Sequence, residues 1–392
     1  MDNMKVQLVG STNNILNQQD AKRFVQNHGR ICYTEKNWDE LLEEDFKKGL
    51  MGSLISRGHH SPFDHFGLNF YFEGPEKSLA MTFNNQGMYT TSEKSARYTV
   101  MSGMPESQKI IYDKWDNWFF KEISKQFPDS NFPKLYIKGG DGKSTAEKLA
   151  QENARYVTSV FTPTNMTHSL TWRQMNIIYH QFQDFITDNE NSPIEFKGRL
   201  AEAMKGFTKS DEIKKWVIED AQVKMKGDIS LRLFKDNSVE EHFGEDIYST
   251  NYFASFASLA QLHRHRLVNY NVSSGFQSGA PLGFYIPRLI EATGKTNEWI
   301  NDLESIAKTD FPQAQILYVG ERGMRENLPA RTEERECGLA QLETARIIGG
   351  LLDDYSKFVP EVAELKQPTC TKDGCKKGGC TFGPSMALER LI

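Results

Sequence analysis

Apolar positions along the 392-residue chain follow two periods. From Phe66 to Phe72 strongly and weakly apolar residues alternate, which predicts a strand with one buried face. Gly74-Pro75 reads as its end. Val6 to Val9 predicts an earlier strand, followed by a polar helix before residue 30. Trp38 to Ser56, rich in Glu, Leu and Lys, predicts one helix that closes at Gly58. Between them, Cys32-Tyr33 predicts a short apolar turn with a buried thiol. Residues 106 to 128 predict an amphipathic helix with Trp115, Trp118 and Phe119 in the core, and Thr171 to Ile186 predicts another. Phe253, Phe256, Ala257 and Ala260 recur at i, i+3, i+4 and i+7, a helix with one buried face. That helix carries Gln261, Arg264 and His265 to its C-terminal end, where positive charge suits the dipole.

Composition narrows the class. A length of 392 residues suffices for two domains of ordinary size. Hydrophobic residues at 38% and charged residues at 25% fit a soluble globular protein. The formal net charge of −5 argues against a general nucleic-acid binder, so a basic cluster must serve a local anion. MDNMKVQLVG has no charged start followed by a long apolar core, and no apolar run approaches the ~20 residues that span a bilayer. The expectation is a cytoplasmic protein that needs no membrane, with five cysteines kept reduced.

Two stretches carry the chemistry. Gln261-Leu262-His263-Arg264-His265-Arg266 concentrates cationic and titratable groups, and Asn271 and Ser274 follow as small polar groups suited to an anion or nucleotide. Arg264-His265-Arg266 with Asn271 and Ser274 resembles the front of R-H-R-x-x-S-x-N-x-x-S-x-R-Y, the signature of the flavin-dependent thymidylate synthases. Asn269 stands at its first Ser, and Phe276-Gln277 stand where Arg-Tyr should close it. Ala80 to Thr99 resembles the same signature in reverse condition. Ser92, Ser95, Arg97 and Tyr98 match the closing half, while Asn85-Gln86-Gly87 occupy the Arg-His-Arg positions. The two copies lie about 180 residues apart, a duplicated domain rather than a solenoid unit. The expected division is a first copy over 1–215 and a second, with a Cys-containing tail, over 216–392. The resemblance implies an α+β fold of two tandem copies, each an antiparallel sheet flanked by helices.

Further segments extend the resemblance. Gly58-His59-His60-Ser61-Pro62-Phe63-Asp64-His65 is similar to the family's G-H-x-[ST]-P-F-E-H loop beside the flavin, with Asp64 for Glu. Pro62 interrupts the histidine spacing and no carboxylate-rich partner is near, so these histidines are read without a metal. Lys138 to Lys143 is glycine-rich but reads as a plain loop. Ala154-Arg155 resembles the start of the family's A-R-x-x-L-P segment, and Gln315 takes the place of that Arg in the second copy. Arg335-Glu336-Cys337-Gly338-Leu339-Ala340-Gln341-Leu342-Glu343 resembles R-x4-A-Q-W-E with Leu342 for Trp. The first copy lacks this element, and the second lacks the histidine loop; His242-Phe243-Gly244-Glu245 is a poor substitute.

The resemblance implies reductive methylation of dUMP to dTMP, with FAD as cofactor and NADPH and methylenetetrahydrofolate as co-substrates. It assigns Arg335 and Arg264 to catalysis. It assigns Gln261, Arg264, Glu93, Ser95, Ala96, Arg97, Tyr98, Arg155 and Arg335 to the nucleotide, and His59, Ser61, Arg264, His265, Arg266, Glu93 and Asn271 to the flavin. Pairing the retained halves gives a homodimer, a pseudo-tetramer with one working site per chain. Two alternatives stay open: a related flavoenzyme that hydroxymethylates or otherwise modifies a pyrimidine nucleotide, and a catalytically dead nucleotide-binding homologue. Cys370, Cys375 and Cys380 in the tail are expected to be free or redox-labile thiols.

Overall fold

The structure, a computed structural model, describes residues 4–87, 89–218, 231, 233–234, 238–276, 282–337 and 340–366. In chain order the first part runs β1 (Lys5–Ser11), α1 (Gln18–Arg30), α2 (Trp38–Leu42), α3 (Lys48–Ser56), β2 (Gly67–Glu76), α4 (Lys77–Phe83) and β3 (Thr90–Glu93). Next come α5 (Glu106–Gln126), α6 (Thr145–Ala154), β4 (Pro163–Thr171), α7 (Trp172–Asn189), α8 (Glu195–Thr208) and α9 (Asp211–Lys214). The rest is β5 (His242–Phe243), β6 (Ile247–Ser255), α10 (Phe256–Leu262), β7 (Asn269–Ser274), α11 (Arg288–Ala292), α12 (Thr296–Ala307), β8 (Ile316–Met324), α13 (Leu328–Arg335) and α14 (Leu342–Ser356). Among the described residues no helix is long and apolar enough to cross a membrane.

The chain divides into two compact units, Met1–Lys94 with Pro163–Arg232 and Ser95–Thr162 with Leu233–Ile392. This is not the expected division at 215/216. Residues 95–162 come early in the sequence but pack in the second unit. Their apolar residues explain why: Tyr112, Trp115, Phe119 and Ile123 of α5 share one core with Trp299, Leu303 and Ile306 of α12. Trp115 and Phe119 both meet the Trp299 ring edge-on, at 4.9 and 5.9 Å.

Each unit holds a four-stranded antiparallel sheet, ordered β1-β2-β4-β3 in the first and β5-β6-β8-β7 in the second. In both, a short helix follows the second strand, a helical segment separates the third from the fourth, and a helix follows the fourth. The mixture of helix and antiparallel sheet is the expected α+β class. In the first sheet Leu68, Phe70 and Phe72 alternate inward as the pattern predicts. Gly74-Pro75 does not end that strand. Gly74 takes φ +79°, which glycine tolerates, and the register shifts between Glu73 and Glu76 before pairing resumes opposite Pro163.

Three further expectations change. The helix over 38–56 is two helices, because Gln26 of α1 accepts a hydrogen bond from the Lys47 N–H at 2.6 Å, where an unbroken helix would use it internally. Cys32 and Tyr33 are exposed, not buried, in the 3-10 turn that follows α1. Phe253 lies on β6 and points to solvent rather than starting the helix. Ser255 instead caps α10, its hydroxyl accepting from the Ser258 N–H at 3.0 Å.

Candidate active site

The second unit gathers polar side chains from distant parts of the sequence around Gln341, which precedes α14. Arg155 follows α6 as its C-cap and is buried at 5% exposure. Its segment is fastened by backbone bonds from Gln313 N to Thr158 O and from Ala314 N to Tyr156 O, each 2.8 Å. The Arg155 guanidinium donates to the Gln341 Oε1 and, at 3.4 Å, to the Ala257 carbonyl. Gln261, in the last turn of α10, donates its amide N–H to the same Gln341 Oε1. Gln341 Nε2 donates to the Tyr156 hydroxyl, which donates in turn to Glu343 Oε2 at 2.7 Å. Ser255 completes the chain, its N–H and hydroxyl each 2.7 Å from the Glu343 carboxylate. Burial nonetheless raises the Glu343 pKa above the usual carboxylate value.

More arginines border this network. Arg335, the last residue of α13, donates from Nη2 to the Gln261 carbonyl at 3.1 Å. Arg97 Nε lies 2.9 Å from Glu152 Oε1 on α6. Burial works against the Arg97 charge, but Glu152 and Tyr98 outweigh it and its pKa rises. Arg335 lies 3.7 Å from Glu334 Oε2, but burial outweighs that carboxylate and, with Arg331 and Arg97 adding, lowers its pKa. Arg155 falls too, chiefly through burial, with Arg97 adding to the effect. His265, beside Arg335 and Arg331, is pulled down to about 3 by burial and those two cations. A neutral imidazole and clustered guanidiniums make a place that favours an anion.

Beneath the cluster, Arg331 and Glu321 form a fully buried ion pair between α13 and β8, with Arg331 Nη2 2.6 Å from Glu321 Oε2. The Tyr248 and Tyr252 hydroxyls also donate to the Glu321 carboxylate, at 2.7 and 2.5 Å.

Residues 14–185 match the family described as Thymidylate synthase complementing protein. A flavin-dependent thymidylate synthase from Clostridium tetani (strain Massachusetts / E88) is 28% identical over 193 residues, 45% of this chain and 74% of that protein. Over residues 14–185 the chain is therefore similar to the flavin-dependent thymidylate synthases. Among solved structures, ThyX from Helicobacter pylori with FAD and dUMP is 16% identical, with a TM-score of 0.30. That match covers 57% of this chain and 99% of the ThyX chain. The UMP/dUMP methylase PolB from Streptomyces cacaoi with 5-Br dUMP is also 16% identical with a TM-score of 0.30, over 53% of this chain and 96% of that one.

Of the residues that family resemblance singles out, Arg97, Arg155, Gln261, His265 and Arg335 meet in the second unit. Ser95 and Ala96 serve the same loop through the backbone. The Ser95 hydroxyl accepts from the Arg97 N–H at 3.3 Å, and the Ala96 carbonyl accepts from Gln151 at 3.1 Å. Tyr98 is half exposed, with the Arg97 guanidinium 5.5 Å from its ring centre. Arg264 and Arg266 are exposed in the turn after α10, and Asn271 is half-buried on β7. Glu93, His59 and Ser61 belong to the first unit. Glu93 is committed there to Lys77, at 2.7 and 2.8 Å. His59 meets the exposed Tyr33 edge-on at 5.5 Å, and its Nδ1 is buried without a hydrogen bond. Ser61 is exposed at the start of a 3-10 turn. His65 stacks on His28 at 4.3 Å, and among the described residues no cluster could hold a metal ion.

Positions that depart from the thymidylate synthase signature have structural work instead. Asn85 and Gln86 are buried in the first unit, and the Gln86 carbonyl accepts from Gln174. In the second unit Phe276 is fully buried and meets Phe234 at 6.0 Å. Gly275 takes φ +95°, and a Cβ there would stand 2.2 Å from the Ile316 carbonyl oxygen. Gln315 donates to the Gly275 carbonyl at 2.6 Å. Gln277 and the tail cysteines Cys370, Cys375 and Cys380 lie outside the described residues.

Sequence reasoning gave no role to Tyr156, Glu343, Ser255, Glu321 or Arg331, and quoted Gln341 only as a motif letter. The signal for Tyr156, Gln341 and Glu343 was their adjacency to Arg155 and Arg335 in the quoted segments. Arg331 and Glu321 carried none, since a buried ion pair looks in sequence like any surface charge.

Proposed function

We propose that this protein is an FAD-dependent enzyme that converts dUMP to dTMP with methylenetetrahydrofolate and NADPH. The observation that carries the reading is the meeting of Arg97 and Arg155, from the family-matched part, with Gln261 and Arg335 from the later part, all in one compact unit. Each half retains what the other lost, and the equal strand orders of the two sheets support descent by duplication.

In this reading the arginines hold the nucleotide. A charge-assisted bond from Arg to phosphate contributes ~1.5–3 kcal/mol. Arg335, held by the Gln261 carbonyl, stands beside the uracil ring and stabilises negative charge at N3, which makes C5 nucleophilic. No protein nucleophile is required. FAD, when bound, supplies the redox chemistry that delivers electrons from NADPH to the new methyl carbon. The exposed Arg264 and Arg266 of the second unit suit its diphosphate.

The deciding experiment incubates the purified chain with dUMP, methylenetetrahydrofolate, NADPH and FAD and identifies the nucleotide product by mass. dTMP, heavier than dUMP by one CH2 group, is expected. A hydroxymethylated product, or unchanged dUMP with flavin bound, would replace this reading with a related flavoenzyme. Absence of both turnover and bound flavin would leave a nucleotide-binding homologue.

A further inference from the structure

Glu343 dictates the polarity of the buried chain. Ionised, its carboxylate accepts from the Ser255 N–H and hydroxyl and can only accept, so the Tyr156 hydroxyl donates to it. Tyr156 then offers a lone pair to Gln341, which must present its amide nitrogen there. The Gln341 Oε1 is thereby turned towards Arg155 and Gln261, and the flip of this amide follows from its neighbours.

The consequence concerns charge. Arg155 is nine-tenths buried, yet its guanidinium meets a carboxamide oxygen and a backbone carbonyl, both neutral. Glu152 is paired with Arg97, and Glu343 reaches Arg155 only through Tyr156 and Gln341. Among the described residues, three buried polar atoms around Gln341 have no hydrogen-bond partner: Arg155 Nε, Arg335 Nε and Gln261 Oε1. Glu152 and Glu343 act on Arg155 through their fields without bonding to it; a buried cation whose direct partners are neutral is costly, and an incoming anion relieves that cost.

We infer that Gln341 is a positioning residue that holds Arg155 through a neutral carboxamide and so reserves the arginine's charge for the phosphate of the nucleotide. The inference rests on the nucleotide-binding reading above. Glutamate at 341 has the same shape and would close an internal ion pair, spending the charge. Leucine would remove the hydrogen bonds but leave the charge.

The test uses the full chain as wild type, Gln341→Glu and Gln341→Leu, with dUMP, deoxyuridine and inorganic phosphate as probes. Binding is followed by calorimetry, and protection by phosphate as a rise in melting temperature. Expected for Gln341→Glu are at least tenfold weaker dUMP binding, deoxyuridine binding within about threefold of wild type, and loss of phosphate protection. Gln341→Leu should bind dUMP better than Gln341→Glu and keep phosphate protection. A merely structural role predicts the opposite order, because leucine removes every hydrogen bond that glutamine makes. Equal losses in both variants for both nucleoside probes would overturn the inference, as would wild-type dUMP affinity in Gln341→Glu. Wild-type protein that phosphate protects but dUMP does not bind would sink the nucleotide reading while leaving the anion clamp standing. No protection of wild type by phosphate or dUMP would overturn the clamp as well.

Discussion

Arg331 and Arg335 lie one helical turn apart on α13 and have opposite fates. Arg331 closes a buried pair with Glu321, while Arg335 reaches the Gln261 carbonyl at 3.1 Å. The first fixes the helix that presents the second. Breaking the pair from one side leaves an uncompensated buried charge. Glu321→Gln should therefore cost about 3–5 kcal/mol in urea unfolding. Replacing both partners with apolar residues should recover much of that loss. A cost near that of a surface pair would mean that water reaches Arg331.

Arg264→Ala and Arg335→Ala should each abolish dTMP formation while the fold survives. Arg264 is exposed and should change stability by no more than about 0.5 kcal/mol. Circular dichroism beside the turnover assay separates the two effects. Near-normal activity in either variant removes that residue from the site.

His265 sets a pH dependence of known sign. Its folded pKa lies at about 3, against 6.5 for an ordinary histidine, because of burial, Arg335 and Arg331. Glu321 opposes them weakly, and Glu334 Oε2 lies 3.5 Å away. Between those two values the unfolded chain binds the proton first, so falling pH removes stability, by up to about 1.4 kcal/mol per unit. Burial raises Asp116 to about 6 and Glu336 to about 7, and those groups act in the opposite direction over their own windows. The difference between wild type and His265→Gln isolates the imidazole. It should shrink as pH falls from 6.5 towards about 4 in denaturant melts; a constant difference would place the folded pKa near that of an ordinary histidine.

Assembly is expected to be a homodimer with one FAD per chain, measured by light scattering and flavin absorbance. Phe276, Gln315 and Asn85-Gln86 give the opposite pairing no arginine for a phosphate. Arg97 and Arg335 belong to one compact unit of one chain. Mixing Arg97→Ala and Arg335→Ala chains should therefore restore no activity, since each chain would still lack one half of its site. Two flavins per chain, or recovery in the mixture, contradicts this arrangement.

Much of the secondary structure was legible because it rests on local periodicity. The alternation around Phe70 and the helical spacing of Trp115 and Phe119 each require one buried face and nothing else. Arg97, Arg155, Gln261 and Arg335 were singled out by the resemblance of their segments to the family's motifs, without knowledge of contacts. Where local rules competed with packing, packing won. Phe253 matched a helical period but was claimed by β6, whose backbone bonds to β8 run through it. Gln26 broke the helix at Lys47 from twenty-one residues away. Above all, the apolar face of α5 found α12, so residues 95–162 joined the unit formed by the end of the chain and brought Arg155 to Gln341. The sequence alone determined which residues could bind an anion. Only the tertiary structure decided that Arg155 meets a carboxamide and Arg331 a carboxylate, because burial acts on whichever groups the fold puts side by side, whatever their separation along the chain.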